Sequence, residues 1–128
     1  MNATFDIELD AERKLMRVSM GGFFQPEDVA RYHAAVHRAT AELGGLPSMQ
    51  RMVCDISEMR IQTQETVTAF SQVMADPKYR HRRVALVVSS TLARMQAQRV
   101  LGARQARIFA TSAEAEAWLF GAAEADAA

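Results

Sequence analysis

The chain has 128 residues, of which 49% are hydrophobic and 23% are charged, and its 15 basic and 15 acidic side chains give a net charge of zero. This length suits one domain with one core, and the composition excludes an intrinsically disordered chain. Because the chain lacks the overall basicity of a dedicated nucleic-acid binder, nucleic acid is not an expected partner.

The sequence also indicates in which cellular compartment the protein is located. The single cysteine, Cys54, excludes an internal disulfide framework and fits a reducing environment. The first ten residues have neither the basic nor the apolar region of a secretory signal. No apolar run approaches the roughly 20 residues that a transmembrane segment needs. We therefore expect a cytoplasmic protein.

The chain begins with the pattern of a β-hairpin. Apolar and polar residues alternate over 4–9 and again over 16–20, which is the period of strands with one buried face. A polar turn at 10–13 joins them. A helix is predicted next, over residues 26–43, because a proline and two carboxylates open it and two glycines close it.

Three further strands and three further helices alternate after this helix. The strands are predicted at 51–57, 83–89 and 105–110, and the helices at 63–75, at 92–101 and after the capping box Thr111-x-x-Glu114. The strand at 51–57 is apolar on both faces and is followed by a short polar turn.

This order predicts an α/β fold, in which a leading β-hairpin and then three βα units form a single-domain mixed β-sheet with about four helices. The domain is expected to span residues 1–121. Residues 122–128 are expected to form a disordered C-terminal tail.

Three segments carry a resemblance to a known family. They are Gly22-Phe23-Phe24-Gln25-Pro26-Glu27-Asp28, Met52-Val53-Cys54-Asp55-Ile56-Ser57 and Glu114-Ala115-Glu116-Ala117-Trp118-Leu119. Together with the element order over residues 4–120, they resemble the STAS domain, which is the fold of anti-sigma-factor antagonists and of the cytoplasmic part of sulfate transporters. The closer similarity is to the stand-alone SpoIIAA-like (STAS/SEC14) bacterial proteins.

The resemblance implies a non-catalytic regulatory module that forms a homodimer and docks a protein partner or a small anionic or apolar ligand. In phospho-regulated members, the strand's Asp-hydrophobic-Ser precedes an Asp-Ser-Ser-Gly segment in which one serine is phosphorylated. The corresponding segment here is Thr63-Gln64-Glu65-Thr66, so the usual phosphoserine switch is missing and Glu65 takes its position. Thr63 and Thr66 remain as alternative phosphate acceptors. This alignment requires the strand to end near Ile56 and Glu65 to face solvent.

Polar residues at the ends of two predicted strands are the candidate contacts for a ligand or partner. They are Asp55, Ser57, Thr63, Glu65, Thr66, Ser89, Ser90 and Thr91. Hydroxyls at a helix N-terminus can hold a phosphate or carboxylate. Local structural roles are the alternative: Asp55 can accept backbone N–H bonds from the next turn, and the residues at 63–66 and 89–91 can cap their helices.

Two histidines have the spacing of metal ligands. His33 and His37 are four residues apart on the first predicted helix. The pattern lacks the glutamate of H-E-x-x-H and offers no recognisable third ligand, so neither a metal site nor a cofactor is predicted.

Five basic residues surround Tyr79, namely Lys78, Arg80, His81, Arg82 and Arg83. They can contact phosphate or anionic lipid, but a loop before a strand normally exposes its charges to solvent. Eight methionines, mostly on predicted inner faces, suit either an adaptable lipid-sized pocket or ordinary core packing.

Two other functions stay open. A small hydrolase-like enzyme would use Asp55, Ser57, Ser89 and Ser90, and it requires a histidine or carboxylate within hydrogen-bond reach of a hydroxyl. Cys54 is not a candidate nucleophile, because an apolar strand keeps a thiol protonated. A purely structural homodimer subunit would instead pair an apolar sheet face with its copy.

Overall fold

The computed structural model describes residues 2–77, 81–101 and 106–121. The strands are β1 (Thr4–Asp10), β2 (Leu15–Gly22), β3 (Arg51–Met59), β4 (Arg83–Val87) and β5 (Ala106–Phe109). The helices are α1 (Pro26–Leu43), α2 (Gln64–Ala75), α3 (Thr91–Leu101) and α4 (Ser112–Leu119), with a short 3-10 turn at Pro47–Met49. The predicted tail at 122–128 lies outside the described residues.

The strands form one sheet in the order β1-β2-β3-β4-β5. The β1–β2 pair is antiparallel and the other three pairs are parallel. The predicted mixed sheet, with its leading hairpin and three βα units, is therefore confirmed. Within the described ranges, no helix is long and apolar enough to cross a membrane.

Alternate side chains of the strands build one apolar layer on each face of the sheet. α1, α2 and α3 pack on the face that contains Met52 and Cys54. α4 packs on the opposite face, over Val53, Ala85 and Val87. Because β3 contributes to both layers, its continuous apolar run correctly indicated a strand buried on both sides.

Side chains from other elements satisfy the carbonyl groups at the end of α1. The Gln50 amide donates to the carbonyl oxygens of Thr40 and Gly44, at 3.0 Å each. The Lys14 ammonium donates to the carbonyl oxygen of Leu43 at 2.7 Å. Gln50 is fully buried, so these bonds fix the loop between α1 and β3 against the helix.

Arginines that project from the sheet hold α4 in place. Arg51 Nε donates to the carbonyl oxygen of Leu119 at 2.6 Å, and Arg83 donates to the carbonyl oxygen of Trp118. The Arg83 guanidinium also lies 4.3 Å from the centre of the Trp118 ring. Cations at these carbonyls complement the negative end of the helix dipole.

The prediction that the basic run is solvated is wrong for two of its members. His81 is 5% exposed and Arg83 is 3% exposed, whereas Arg82 is exposed. Arg83 is buried because it is the first residue of β4 and its side chain lies under α4. Residues 78–80 lie outside the described ranges.

β3 is longer than the sequence suggested. The sequence predicts the end of this strand at residue 57, but Gly21 and Gly22 of β2 pair with Glu58 and Met59 beyond a shift in the register. Two adjacent glycines usually indicate the end of a strand, so the sequence does not predict that these two pair with β3. The junction to α2 is therefore confined to residues 60–63, although α2 begins where predicted.

Gly22 occupies a position that only glycine fits. Its φ is +84°, and a Cβ there would lie 2.2 Å from the carbonyl oxygen of Asn2. Its own carbonyl oxygen accepts hydrogen bonds from the backbone N–H of Arg60 at 3.0 Å and from the side chain of Gln62 at 3.1 Å. The end of β2 is thereby joined to the end of β3.

The observed limits of β4 and β5 differ from the predicted limits by one or two residues. β4 ends at Val87 instead of residue 89, because the chain turns towards α3 at Ser89 and Ser90. The backbone N–H of Val88 still donates to the carbonyl of Phe109 in β5, at 3.0 Å. β5 covers Ala106–Phe109 of the predicted 105–110.

An ion pair joins β2 to α4. Arg17 Nε donates to Glu116 Oε2 at 3.0 Å, and Arg13 Nη2 lies 3.7 Å from Glu116 Oε1. The hydrogen bond from Arg17 is the main cause that lowers the pKa of Glu116 below its ordinary value, and the same bond raises the pKa of Arg17.

We expect Glu116→Gln to remove a pH-dependent part of the stability. Since the folded state lowers the pKa of Glu116, its contribution is present above the ordinary pKa and is lost as the pH falls through the lowered value. Both partners are partly solvated, so the difference near pH 7 should be below about 1 kcal/mol. Urea denaturation at about pH 7 and about pH 3 measures it. Glu12→Gln, at an exposed position, is the control, and a difference between Glu116→Gln and the parent that persists at the acid pH would contradict the assignment.

Candidate functional site

The candidate site lies where β3 and β4 end and the chain enters α2 and α3. Carboxyl ends of parallel strands meet at one edge of a sheet, and the positive ends of the following helices point to the same edge. Thr63 Oγ1 accepts the backbone N–H of Thr66 at 3.2 Å, and Ser90 Oγ accepts the backbone N–H of Ala93 at 3.1 Å. Thr63 and Ser90 therefore have the capping roles that the sequence left open.

Three of the candidate residues come together at this edge. Asp55 Oδ1 accepts hydrogen bonds from the backbone N–H of Ser57 at 3.0 Å and from its hydroxyl at 2.5 Å. The Ser89 hydroxyl lies 3.4 Å from the carbonyl oxygen of Ser57. Asp55 thus accepts a backbone bond from two residues further along its own strand and not from the predicted turn, which is still a local structural role.

The candidates at the start of α2 differ in exposure. Thr66 is fully buried, and its hydroxyl donates to the carbonyl oxygen of Phe24 at 2.9 Å. This burial argues against Thr66 as a phosphate acceptor. Thr63 and Glu65 are exposed, as is Thr91 at the start of α3. Glu65 faces solvent as the alignment requires. The other requirement is not met, because β3 continues three residues beyond Ile56. The match of Glu65 to the phosphoserine position stays a prediction.

Gln62 holds this junction together through hydrogen bonds, a role that the sequence did not predict. Its Oε1 accepts the backbone N–H of Phe24 at 2.8 Å, and its Nε2 donates to the carbonyl oxygens of Gly22, at 3.1 Å, and Arg60. Its backbone N–H donates to Gln96 Oε1, and the Gln96 amide donates back to the carbonyl of Gln62, both at 2.9 Å. The side chain is 8% exposed. A glutamine in a polar turn carries no sequence signal for such a role.

An apolar cavity of about 90 Å³ lies between the sheet and the helices α2 and α3. Its lining includes Met20, Met59, Phe70, Met74, Leu86 and Val100. Arg60 and Ile61, both exposed, lie at its rim beside the buried Gln62. Three methionines thus line a cavity, Met16 and Met52 fill the core, and Met95 is 49% exposed.

Cys54 lies in the wall of this cavity, where burial disfavours its thiolate form. Burial raises the pKa of Cys54 to about 12, although the Tyr32 hydroxyl, 3.9 Å from the sulfur, acts in the opposite direction. The expected inertness of this cysteine follows from that value.

The structure brings a carboxylate to the two histidines of α1. Asp76, the residue after α2, has its Oδ2 3.1 Å from His33 Nε2 and 3.5 Å from His37 Nε2. Asp76 is therefore a candidate third ligand beside the histidine pair, which the sequence did not identify. In the sequence, Asp76-Pro77 indicated only the end of a helix, and the partner lies about 40 residues from the histidines.

The hydroxyl groups of the hydrolase hypothesis lie apart from the histidines. Ser57 and Asp55 belong to the sheet face that α4 covers, whereas His33 and His37 belong to α1 on the opposite face. His81 precedes β4, and Ser89 follows it, so the five residues of that strand, about 16 Å of chain, separate them. This arrangement does not provide a histidine base for Ser57 or Ser89. A carboxylate, that of Asp55, does lie within hydrogen-bond reach of the Ser57 hydroxyl, at 2.5 Å.

No family model and no curated protein matches the sequence. The solved structures that match its fold include two bacterial proteins. One is an uncharacterised protein of the DUF3478 family with a SpoIIAA-like fold from Shewanella loihica PV-4, with a TM-score of 0.67 and 18% identity over 91% of this chain and 93% of that chain. The other is an anti-sigma factor antagonist from Mycobacterium paratuberculosis, with a TM-score of 0.62 and 13% identity over 92% and 94%.

These matches confirm the predicted resemblance at the level of the fold. They depend on the whole arrangement of the sheet and helices and not on the exact end of β3, which the sequence placed two residues too early. The chain therefore has the SpoIIAA-like fold that STAS domains share.

We expect Gln62→Leu to destabilise the protein by about 2–4 kcal/mol, because the buried N–H of Phe24 and the carbonyl of Gly22 would each lose a partner. Urea denaturation against Gln72→Leu, an exposed position of α2, measures the effect, and the control should change the stability by less than about 0.5 kcal/mol. Equal stability of the two variants would show that the Gln62 hydrogen bonds contribute nothing.

Proposed function

We propose that the protein is a non-catalytic binding module whose ligand is a small molecule with an apolar body and an anionic end. The observation that carries the proposal is the apolar cavity under α2 and α3, with Arg60 at its rim. The ligand's apolar part would enter the cavity, and its anionic group would remain near Arg60 at the surface.

The size and lining of the cavity support an apolar occupant. Empty cavities of about 150 Å³ with apolar walls stay dry and bind molecules such as benzene, so a space of about 90 Å³ suits a short alkyl segment. Met20, Met59 and Met74 can change rotamers at low cost and enlarge the space for a longer chain. Burial of each methylene group would contribute about 0.8 kcal/mol.

The polar end of the ligand has a cation and two helix N-termini nearby in the fold. Arg60 is exposed directly after β3, in the junction that leads into α2. The positive dipole ends of α2 and α3 lie at the same edge of the sheet. An anionic group is therefore favoured over a cationic one at this end of the cavity.

We expect medium-chain fatty acids, tested as a series from hexanoate to dodecanoate, to bind one per chain. Methyl NMR signals of the cavity methionines should shift on titration, and Ala97→Leu, which adds volume to the cavity wall, should weaken binding at least tenfold. Ala30→Leu, on the exposed side of α1, is the matched control and should bind as the parent does. Arg60→Gln should weaken binding of the acid more than binding of the alcohol of equal length.

Two outcomes would contradict this proposal. One is the absence of saturable binding across the series. The other is unchanged binding in a folded Ala97→Leu variant, which would mean that the fatty acid occupies another surface.

A protein partner is the second candidate, and it is favoured by the exposed polar residues at the two strand-to-helix junctions. Thr63, Glu65, Ser89 and Thr91 are exposed there, on a fold that the structural neighbour described as an anti-sigma factor antagonist also has. A phosphoserine switch is not part of this proposal, because Glu65 would supply a permanent negative charge.

We expect a docking protein to be recovered by the parent chain and by Ala30→Arg, but not by the double variant Glu65→Arg/Ser89→Arg. Quantitative affinity enrichment from cells measures this, with the parent, the double variant and the control side by side. Recovery of the same protein by all three chains would place the contact elsewhere and contradict the docking surface.

The homodimer and the cytoplasmic location stay predictions. Of the described sheet, one face is covered by α1, α2 and α3, and the part of the other face formed by β1 exposes Thr4, Asp6 and Glu8. These polar side chains do not favour a dimer that pairs an apolar sheet face with its copy.

A further inference from the structure

We propose that His33, His37 and Asp76 form a binding site for a divalent transition-metal ion, with Zn²⁺ as the best-suited ion and a fourth coordination position open to solvent. The site lies between the middle of α1 and the end of α2, and it is distinct from the proposed ligand cavity. The proposal rests on the geometry of the three side chains and not on the proposed function.

The three donor atoms form a compact triangle. His33 Nε2 and His37 Nε2 are 3.0 Å apart, and Asp76 Oδ2 is 3.1 Å from the first and 3.5 Å from the second. Ligand atoms of a tetrahedral zinc ion, with bonds of about 2.0–2.2 Å, are about 3.4 Å apart. An ion about 2.1 Å from all three atoms would lie about 1 Å outside their plane, so it needs only small side-chain adjustments.

The limited number of hydrogen bonds that these three atoms can form also favours a cation. A neutral imidazole nitrogen carries one proton or one lone pair in the plane of the ring. Two such nitrogens and one carboxylate oxygen all within 3.5 Å of each other cannot be joined by three separate linear hydrogen bonds. A single metal ion can accept a lone pair from each of the three atoms at once.

The helices hold these groups in place without the ion. His33 and His37 are one turn apart on the 18-residue helix α1, so their side chains share a face. Asp76 follows α2 directly, and its backbone N–H donates to the carbonyl of Val73 at 3.1 Å. The negative end of the α2 dipole therefore lies at the site and favours a positive ion.

The site is accessible yet partly withdrawn from water. The exposed fractions of the side chains are 28% for His33, 37% for His37 and 24% for Asp76. An ion can therefore enter from solvent, and a water molecule or an external ligand can fill the fourth position. Two imidazoles and one carboxylate suit Zn²⁺, Co²⁺, Ni²⁺ and Cu²⁺ better than Mg²⁺ or Ca²⁺, which prefer sets of oxygen ligands.

A bound ion would link α1 to α2. Since Phe70, Val73 and Met74 of α2 line the apolar cavity, the ion would restrain the helix that forms one of its walls. This structural link is the effect that we assign to the metal.

The test uses the full chain without a histidine tag, freed of metal with a chelator. Calorimetric titration with Zn²⁺ should show one site per chain with a dissociation constant of about 1 µM or tighter. Titration with Co²⁺ should give the intense visible absorption of a four-coordinate cobalt ion. Asp76→Asn and His37→Gln should each weaken Zn²⁺ binding at least tenfold, while Asp6→Asn, at an exposed position of β1, should bind as the parent does.

Absence of saturable one-to-one binding at about 100 µM Zn²⁺ would overturn the proposal. Parent-like affinity in Asp76→Asn would also overturn it, because the ion would then be held by the histidine pair alone. Thermal unfolding of each variant in chelator checks that it folds. If His37→Gln does not fold, His33→Gln and Asp76→Asn test the same three-ligand site.

Discussion

Hydrogen bonds of Gln62 link three parts of the fold, namely the segment from β2 to α1, the junction from β3 to α2, and α3. Its side chain is hydrogen-bonded to Phe24 and Gly22, and thus fixes the segment that leads from β2 into α1. Its backbone N–H and carbonyl are both paired with the side chain of Gln96 on α3. Since each buried group left without a partner would cost about 1–3 kcal/mol, this residue determines how the junction between β3 and α2 can lie. The rim of the apolar cavity is part of that junction, and its shape therefore depends on Gln62 as well.

The helix α2 connects the two proposed sites. Near its start, Thr66 donates to the carbonyl of Phe24, and directly after its end Asp76 lies beside His33 and His37. The same helix supplies part of the cavity wall between these ends, including Phe70. A metal ion at the end of α2 and an apolar ligand beneath it would therefore act on one element, although each site can be tested without the other.

The fold could be predicted from the sequence because local signals agreed with the global arrangement. Alternating residues gave the hairpin, and proline, carboxylates and glycines gave the limits of α1. The sequence was misleading or silent where contacts between distant segments determine the environment of a residue. Arg83 is buried beneath α4, and the partner of the histidine pair, Asp76, comes from a distant helix end. No period or spacing in a single sequence shows that two such segments meet, and the polar turn around Gln62 gave no sign of its buried bonds.

Hydrogen exchange at the backbone amides of Phe24 and Gln62 tests the central claim most directly. Both amides lie outside helices and strands, and each donates to a glutamine side chain. If the Gln62 network holds the junction, both amides should exchange as slowly as the paired amides of β3, because their release requires the junction to open. Exchange of both amides at the rate of an exposed loop would contradict the account.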